Sequence, residues 1–252
     1  MNASSRIFDD IRLGLVFFTR LPLRHFEVKD RSLADAIWTA PLVGLVVAVV
    51  AWAAYAIATL LGLSPNLAAA LALAAAMLVT GCLHEDGLSD TADGFGGGRT
   101  REKKLEIMRD SRIGTYGACA LALSILARWS AIADLASPGH VLVGLVVAHI
   151  ASRALIPAFM QMLPQARIDG LSAGVGTVSD NVVLTALAIG AVALLLLGLK
   201  GAVVAALCLV LLFVAFRKLC LAQIGGQSGD TIGALQQLAE ITLLFAASAI
   251  LA

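Results

Sequence analysis

Charge is what this chain has least of. Only 14% of its 252 residues are Asp, Glu, Lys or Arg, and 60% are hydrophobic; an average soluble domain carries about 25% charged residues. With a mean hydropathy of +0.91, the composition excludes a water-soluble globular enzyme and points to an integral membrane protein. The net charge of +1 provides no basic surface for nucleic acid, so none is expected as a partner. Cys82, Cys119, Cys208 and Cys220 lie far apart in or beside apolar runs and form no C-x-x-C pair. That excludes a disulfide framework or a thiolate metal site and leaves buried thiols. The N-terminal segment has scattered charges and lacks a signal-peptide apolar core with a small-residue cleavage site, so a retained, cytoplasmic N-terminus is expected. With no repeat of fixed period and no linker, residues 1–252 read as one integral membrane domain.

A spanning helix needs about 20 mostly apolar residues, in a range of roughly 17–25. The candidate runs are Ala36–Leu63, Leu67–Leu83, Ile113–Ala133, Val141–Leu163, Val182–Leu199, Ala202–Phe216 and a weaker one from Ile232 to Ala252. The sixth is short and is expected to continue through Arg217 and Lys218 towards Ile224. The last contains Gln236, Gln237 and Glu240, which places its first turns at the interface. The expected fold class is all-α: a polytopic helical membrane protein with seven spans, six being the alternative count. Arg6, Arg12, Arg20, Arg24, Lys29 and Arg31 precede the first span, and Arg99, Arg101, Lys103, Lys104, Arg109 and Arg112 follow the second. Arg167 follows the fourth, Arg217 and Lys218 the sixth, and only Lys200 falls on the opposite side. By the positive-inside rule the basic side is cytoplasmic, and it carries every polar motif, in loops at about 84–112, 164–181 and 217–231.

The densest of these motifs is His84-Glu85-Asp86-Gly87-Leu88-Ser89-Asp90-Thr91-Ala92-Asp93-Gly94, followed by Phe95-Gly96-Gly97-Gly98-Arg99. Asp86, Asp90 and Asp93 stand at i, i+4 and i+7, and at about 100° per residue they fall within roughly 60° of one helical face. Like charges so placed repel, and a hard cation such as Mg²⁺ removes the repulsion while also binding a substrate phosphate. Glu85 points away from that face and is the weaker metal candidate. His84 is read as an interfacial or supporting residue rather than a ligand. The alternative for the whole cluster is a solvated acidic helix end.

Thr100–Arg112 reads as a short helix with Thr100 as its cap. On it Glu106 and Asp110 share a face, and Arg109 and Arg112 offer forks suited to phosphate oxygens; a plain solvated face is the alternative. Arg153 lies inside the predicted fourth span, one turn after His149. A charge there is costly and faces a cavity or a carboxylate, so it serves either a buried ion pair or a substrate phosphate. Arg167-Ile168-Asp169-Gly170 and Gly225-Gly226-Gln227-Ser228-Gly229-Asp230 complete the set. Asp230 is alternatively a helix cap, and Asp169 a turn residue.

At these residues the chain resembles the cobalamin synthase family, the adenosylcobinamide-GDP ribazoletransferases of bacterial vitamin B12 assembly. The likeness rests on Phe18-Thr19-Arg20-Leu21-Pro22, Pro41-Leu42-Val43-Gly44, His84–Gly94, Leu105–Thr115 with its Arg109-Asp110-Ser111-Arg112, Arg167–Leu171 and Gly225–Ala234. It implies a multi-pass enzyme of the bacterial inner membrane, working on its cytoplasmic face with corrinoid and α-ribazole phosphate substrates. In the implied reaction a ribose hydroxyl of α-ribazole 5′-phosphate attacks the phosphate on the cobinamide arm and GMP leaves. The family's Mg²⁺ requirement carries over to Asp86, Asp90 and Asp93. On that reading Asp110, then Glu106, is the expected proton acceptor, and Arg109, Arg112, Arg153, Arg167, Asp169 and Asp230 are the expected substrate- and phosphate-binding residues.

Two other readings compete. Asp90-Thr91-Ala92-Asp93-Gly94 matches the opening of the CDP-alcohol phosphotransferase motif of phospholipid synthesis, but Phe95-Gly96-Gly97-Gly98 replaces its next element. A divalent-cation transporter would use the same carboxylates, yet transporters favour midplane sites and paired repeats. Spans rich in small residues would permit a homo-oligomer in the lipid bilayer without requiring one.

Overall fold

The computed structural model describes residues 3–23 (the first three by backbone alone), 32–167 and 176–252. Arg24, Lys29, Arg31 and Asp169, named above, lie outside the described residues. Among the described residues the chain is helical throughout, with a single isolated β-bridge.

α1 (Ala3–Phe18) leads to α2 (Leu33–Ala36), which passes through a 3-10 turn at Ile37–Thr39 into α3 (Ala40–Leu60). There follow α4 (Pro65–Thr80), α5 (Leu83–Gly97), α6 (Arg101–Ile107), α7 (Thr115–Asp134), α8 (Pro138–Met162), α9 (Asp180–Leu194), α10 (Gly198–Ile224) and α11 (Gly229–Leu251). The helix starts follow local chemistry. Pro65 and Pro138 sit in first turns, where a missing N–H costs nothing. Thr100, Ser137 and Ser228 cap α6, α8 and α11 through their side chains.

Five helical stretches among the described residues are long and apolar enough to cross a membrane, or six if α4 and α5 count as one bent span. One of the five, Asp180–Ile224, is interrupted at Gly198, whose φ of 73° breaks the helix between α9 and α10. The outer surface is apolar: Leu60, Leu78, Leu199 and Leu211 are each at least 70% exposed. Such a surface suits hydrocarbon and not water; the protein is a polytopic helical membrane protein.

α8 and α11 are the centre of the bundle. α8 packs on α3, α9 and α11, while α11 also packs on α5, α7 and α10. α4 and α5 meet at 89°, because Gly81 and Cys82 both take left-handed backbone conformations. That corner turns the acidic segment back across the bundle as a full helix rather than a loop. Gly87 and Gly233 are what let α5 cross α11 closely: a Cβ on Gly87 would lie 2.7 Å from the Asp230 carbonyl oxygen.

The expectation for α11 is corrected. Gln236, Gln237 and Glu240 are at most 2% exposed and lie inside the bundle, not at an interface. The reason is a polar cluster: Glu240 meets Arg128, His149 and Arg153, and Gln236 donates to Ser152.

Candidate active site

The polar motifs gather at one end of the bundle. Gln227 N–H donates to the Pro164 carbonyl and Ala166 N–H to the Gln227 carbonyl, both at 2.8 Å, tying the segment after α8 to the one before α11. Arg101 donates to the Ala166 carbonyl at 2.9 Å, and Lys104 to Gln223. Met108, Ala166 and Ile224 pack together beneath. This lacing brings Arg167 to Asp230, with Nη2 donating to Oδ2 at 2.9 Å; Ser228 donates to the same oxygen at 3.2 Å.

Arg167 and Asp230 form part of the wall of a cavity of about 130 Å³. Its polar side is Asp86, His84, Arg167 and Asp230; its apolar side includes Phe17 and Phe18 of α1, Ile37, Ile156 and Met160. His84 is buried, stacked on Phe18 with ring centroids 5.9 Å apart. Arg167 is nearly buried, and its Nε and Nη1 have no acceptor among the described residues. These nitrogens point in different directions, so each is a separate charged donor for an incoming oxyanion at the cavity wall. Asp90, half-buried one turn beyond Asp86, is repelled by Asp86, Asp93 and Asp230 and attracted by Arg167. Asp86, Arg167 and Asp230 thus wall one cavity, with Asp90 one helical turn beyond Asp86.

The remaining expected residues stand elsewhere. Asp93 is buried and caps α7, with Oδ2 accepting Gly114 N–H at 2.7 Å and Oδ1 accepting Gly117 N–H at 2.8 Å. Seven residues of helix rise about 10 Å, so sharing a face with Asp86 does not bring Asp93 to the same ion. Glu85 is turned into the bundle, where Arg128 donates to it at 2.8 Å, instead of facing a metal. Arg153 pairs with Glu240 at 3.7 Å and His149 at 3.0 Å, the ion-pair arm of its two readings, and does not line the cavity. Glu106 is exposed and bound to Lys103 at 2.8 Å. Asp110 is held by Arg112 at 2.6 Å, and those hydrogen bonds lower its carboxyl to about 2, which makes it a weak proton acceptor at neutral pH. Arg112 is committed to that pair, and Arg109 lies in the turn after α6, its N–H donating to the Glu106 carbonyl at 3.1 Å.

Two features at and behind the site escaped sequence reasoning. Arg128 sits inside a predicted span as Arg153 does, and the same cost of intramembrane charge would have singled it out. Phe17 carried no signal beyond its apolar character, and Phe18 entered only as the first residue of the Phe18–Pro22 motif.

A family model described as cobalamin-5-phosphate synthase matches residues 10–248. A protein of Mesorhizobium japonicum named adenosylcobinamide-GDP ribazoletransferase is 57% identical over 243 residues, covering 96% of this chain and 94% of that protein. Proteins of the same name from Bradyrhizobium diazoefficiens and Shewanella pealeana are 50% and 41% identical, covering 96% and 91% of this chain and 94% and 91% of their own lengths. No solved structure matches the chain.

Proposed function

The chain belongs to the cobalamin-5-phosphate synthase family, and from that premise we propose that it joins adenosylcobinamide-GDP to α-ribazole 5′-phosphate, releasing GMP and adenosylcobalamin 5′-phosphate. The observation that carries this reading is Arg167, whose Nε and Nη1 have no acceptor among the described residues, beside Asp86 and Asp230 in one cavity. The attacking ribose oxygen forms a bond to the phosphorus on the cobinamide arm, and the bond to the GMP phosphate oxygen breaks.

No three His, Cys, Asp or Glu side chains among the described residues converge on a point where they would hold a metal unaided. That donor set still fits Mg²⁺, which in phosphate chemistry takes about one or two carboxylates and completes its shell with phosphate oxygens and water. Asp86 and Asp90 are the carboxylates that would hold it. When bound, the ion would neutralise charge on the transferred phosphate and the departing GMP. Arg167 holds a non-bridging phosphate oxygen through Nη1. Asp230 accepts the ribose hydroxyl proton at Oδ1, since its hydrogen bonds from Arg167 and Ser228 both go to Oδ2. The apolar wall of Phe17, Phe18 and Ile37 excludes water from the reacting phosphate. In this reading the site faces the cytoplasm from the bacterial inner membrane, where both substrates are soluble, and the chain crosses the bilayer seven times, α4 with α5 counting as one bent span and α9 and α10 as two.

The test is the purified protein in lipid, incubated with both substrates with and without Mg²⁺, followed by mass spectrometry of corrinoid and nucleotide. Mg²⁺-dependent adenosylcobalamin 5′-phosphate with equimolar GMP supports the reading. Consumption of a CDP-lipid instead, or cation uptake without nucleotide turnover, overturns it.

A further inference from the structure

Behind the substrate cavity lies a second polar cluster that the reaction does not use. α5 begins at Cys82 without a side-chain cap, yet its first turn drives His84 and Glu85 into the bundle. Glu85 Oε1 accepts from Arg128 Nη1 at 2.8 Å, and the same nitrogen donates to Glu240 Oε1 at 3.3 Å. Arg153 lies 3.7 Å from the other Glu240 oxygen. Two guanidinium groups and two carboxylates therefore balance inside the membrane domain.

Four buried atoms in this cluster have no hydrogen-bond partner among the described residues: His84 Nε2, Glu85 Oε2, Arg128 Nη2 and Arg153 Nε. All four residues line one cavity of about 10 Å³, about the space of a single water molecule, which needs two to four polar partners. The orphans match a water's valence. Two arginine N–H groups donate, the Glu85 oxygen accepts, and His84 Nε2 accepts when the ring proton is on Nδ1. His84 also lines the substrate cavity, so it is the shared wall between the two, and Asp86 follows Glu85 in the chain.

We propose that this cavity holds one ordered water, and that Arg128 and Glu85, completed by it, are positioning residues that fix the first turn of α5 and so place Asp86. Neither touches substrate; both act through the backbone of that turn. The role of Asp86 rests on the function proposed above, but the anchoring of the turn does not.

Single removal of Arg128 strands a buried carboxylate and risks unfolding, so the test uses the charge-balanced pair Glu85→Gln with Arg128→Gln, and Arg128→Lys beside it. Cys82, expected to be buried but exposed as Cys119 is, reports the turn through its maleimide labelling rate, in a chain with Cys119→Ser and Cys208→Ser. The double variant should stay folded, label on the order of tenfold faster, and lose kcat on the order of tenfold at unchanged KM. Arg128→Lys should recover part of both. A map showing ordered solvent should place one water against Arg128, Arg153 and Glu85. Wild-type labelling and kcat in the double variant, or an empty cavity in that map, overturns the proposal. So does loss of folded protein in both variants, since the cluster would then serve folding alone. An inactive wild type would overturn the proposed reaction, while the labelling result still judges the anchor.

Discussion

Adding one methyl group at Gly87 tests whether the crossing of α5 over α11 sets the site. The new Cβ would lie 2.7 Å from the Asp230 carbonyl oxygen and 3.1 Å from the Cα atoms of Asp230 and Gly233, and ordinary contact begins near 3.4 Å. These are backbone atoms that no rotamer change can move, so the helices must part by about 0.7 Å, the shortfall between those distances. Alanine is favoured over glycine in a helix by about 1 kcal/mol, and overpacking costs roughly 1–3 kcal/mol. Gly87→Ala should therefore be destabilising by between about 0 and 2 kcal/mol, or a melting temperature lower by only a few degrees. Function should suffer more, since Asp86 moves relative to Asp230 and a misplacement near 1 Å costs on the order of 10²-fold. Gly139, with nothing within 4 Å of its would-be Cβ, is the control. Gly139→Ala should leave melting and turnover unchanged or slightly raise the melting temperature. Thermal unfolding in detergent and steady-state turnover of both variants decide. If Gly87→Ala melts and turns over like Gly139→Ala, the crossing does not set the site.

Arg167→Gln should raise KM for the GDP-activated corrinoid about 10–100-fold, the loss of charge-assisted bonds, and Arg167→Lys should not restore it, because an ammonium cannot hold Asp230 and the phosphate in the planar geometry of a guanidinium; competition binding with the corrinoid substrate checks this. Asp93→Ala should cost roughly 0.5–2 kcal/mol by uncapping α7, seen as a lower melting temperature with the Mg²⁺ concentration for half-activity unchanged. Asp110, lowered from 3.8 to about 2 by Arg112, gives its pair's stabilisation fully above the unfolded value and loses it only as pH falls through about 2. Its charge is therefore constant across the neutral range, and Asp110→Asn should leave the pH–rate profile unmoved. Asp230→Asn should lower kcat by about 10²–10⁴-fold if that carboxylate takes the proton.

Much of the helix layout could be read from hydropathy and caps. The expected continuation through Arg217 and Lys218 to Ile224 is the observed end of α10, and Thr100 caps α6 as expected. The site was harder because angular spacing says nothing about axial distance or about partners. Asp93 shares a face with Asp86, yet its oxygens belong to the start of α7. Glu240 and Gln237 looked interfacial because their partners, Arg128 and Ser124, lie in a span distant in sequence. The corner before α5 needed two left-handed residues, and only one of them, Gly81, is a residue type that announces it.

Turnover of wild-type protein and Asp86→Asn in the same lipid, followed by corrinoid product and released GMP, probes the site most directly. Equimolar products from the wild type, with kcat lower by at least about 10²-fold in Asp86→Asn, are expected if the reaction takes place between Asp86, Arg167 and Asp230. An Asp86→Asn variant as fast as the wild type at limiting Mg²⁺ would mean that the chemistry happens elsewhere in the molecule.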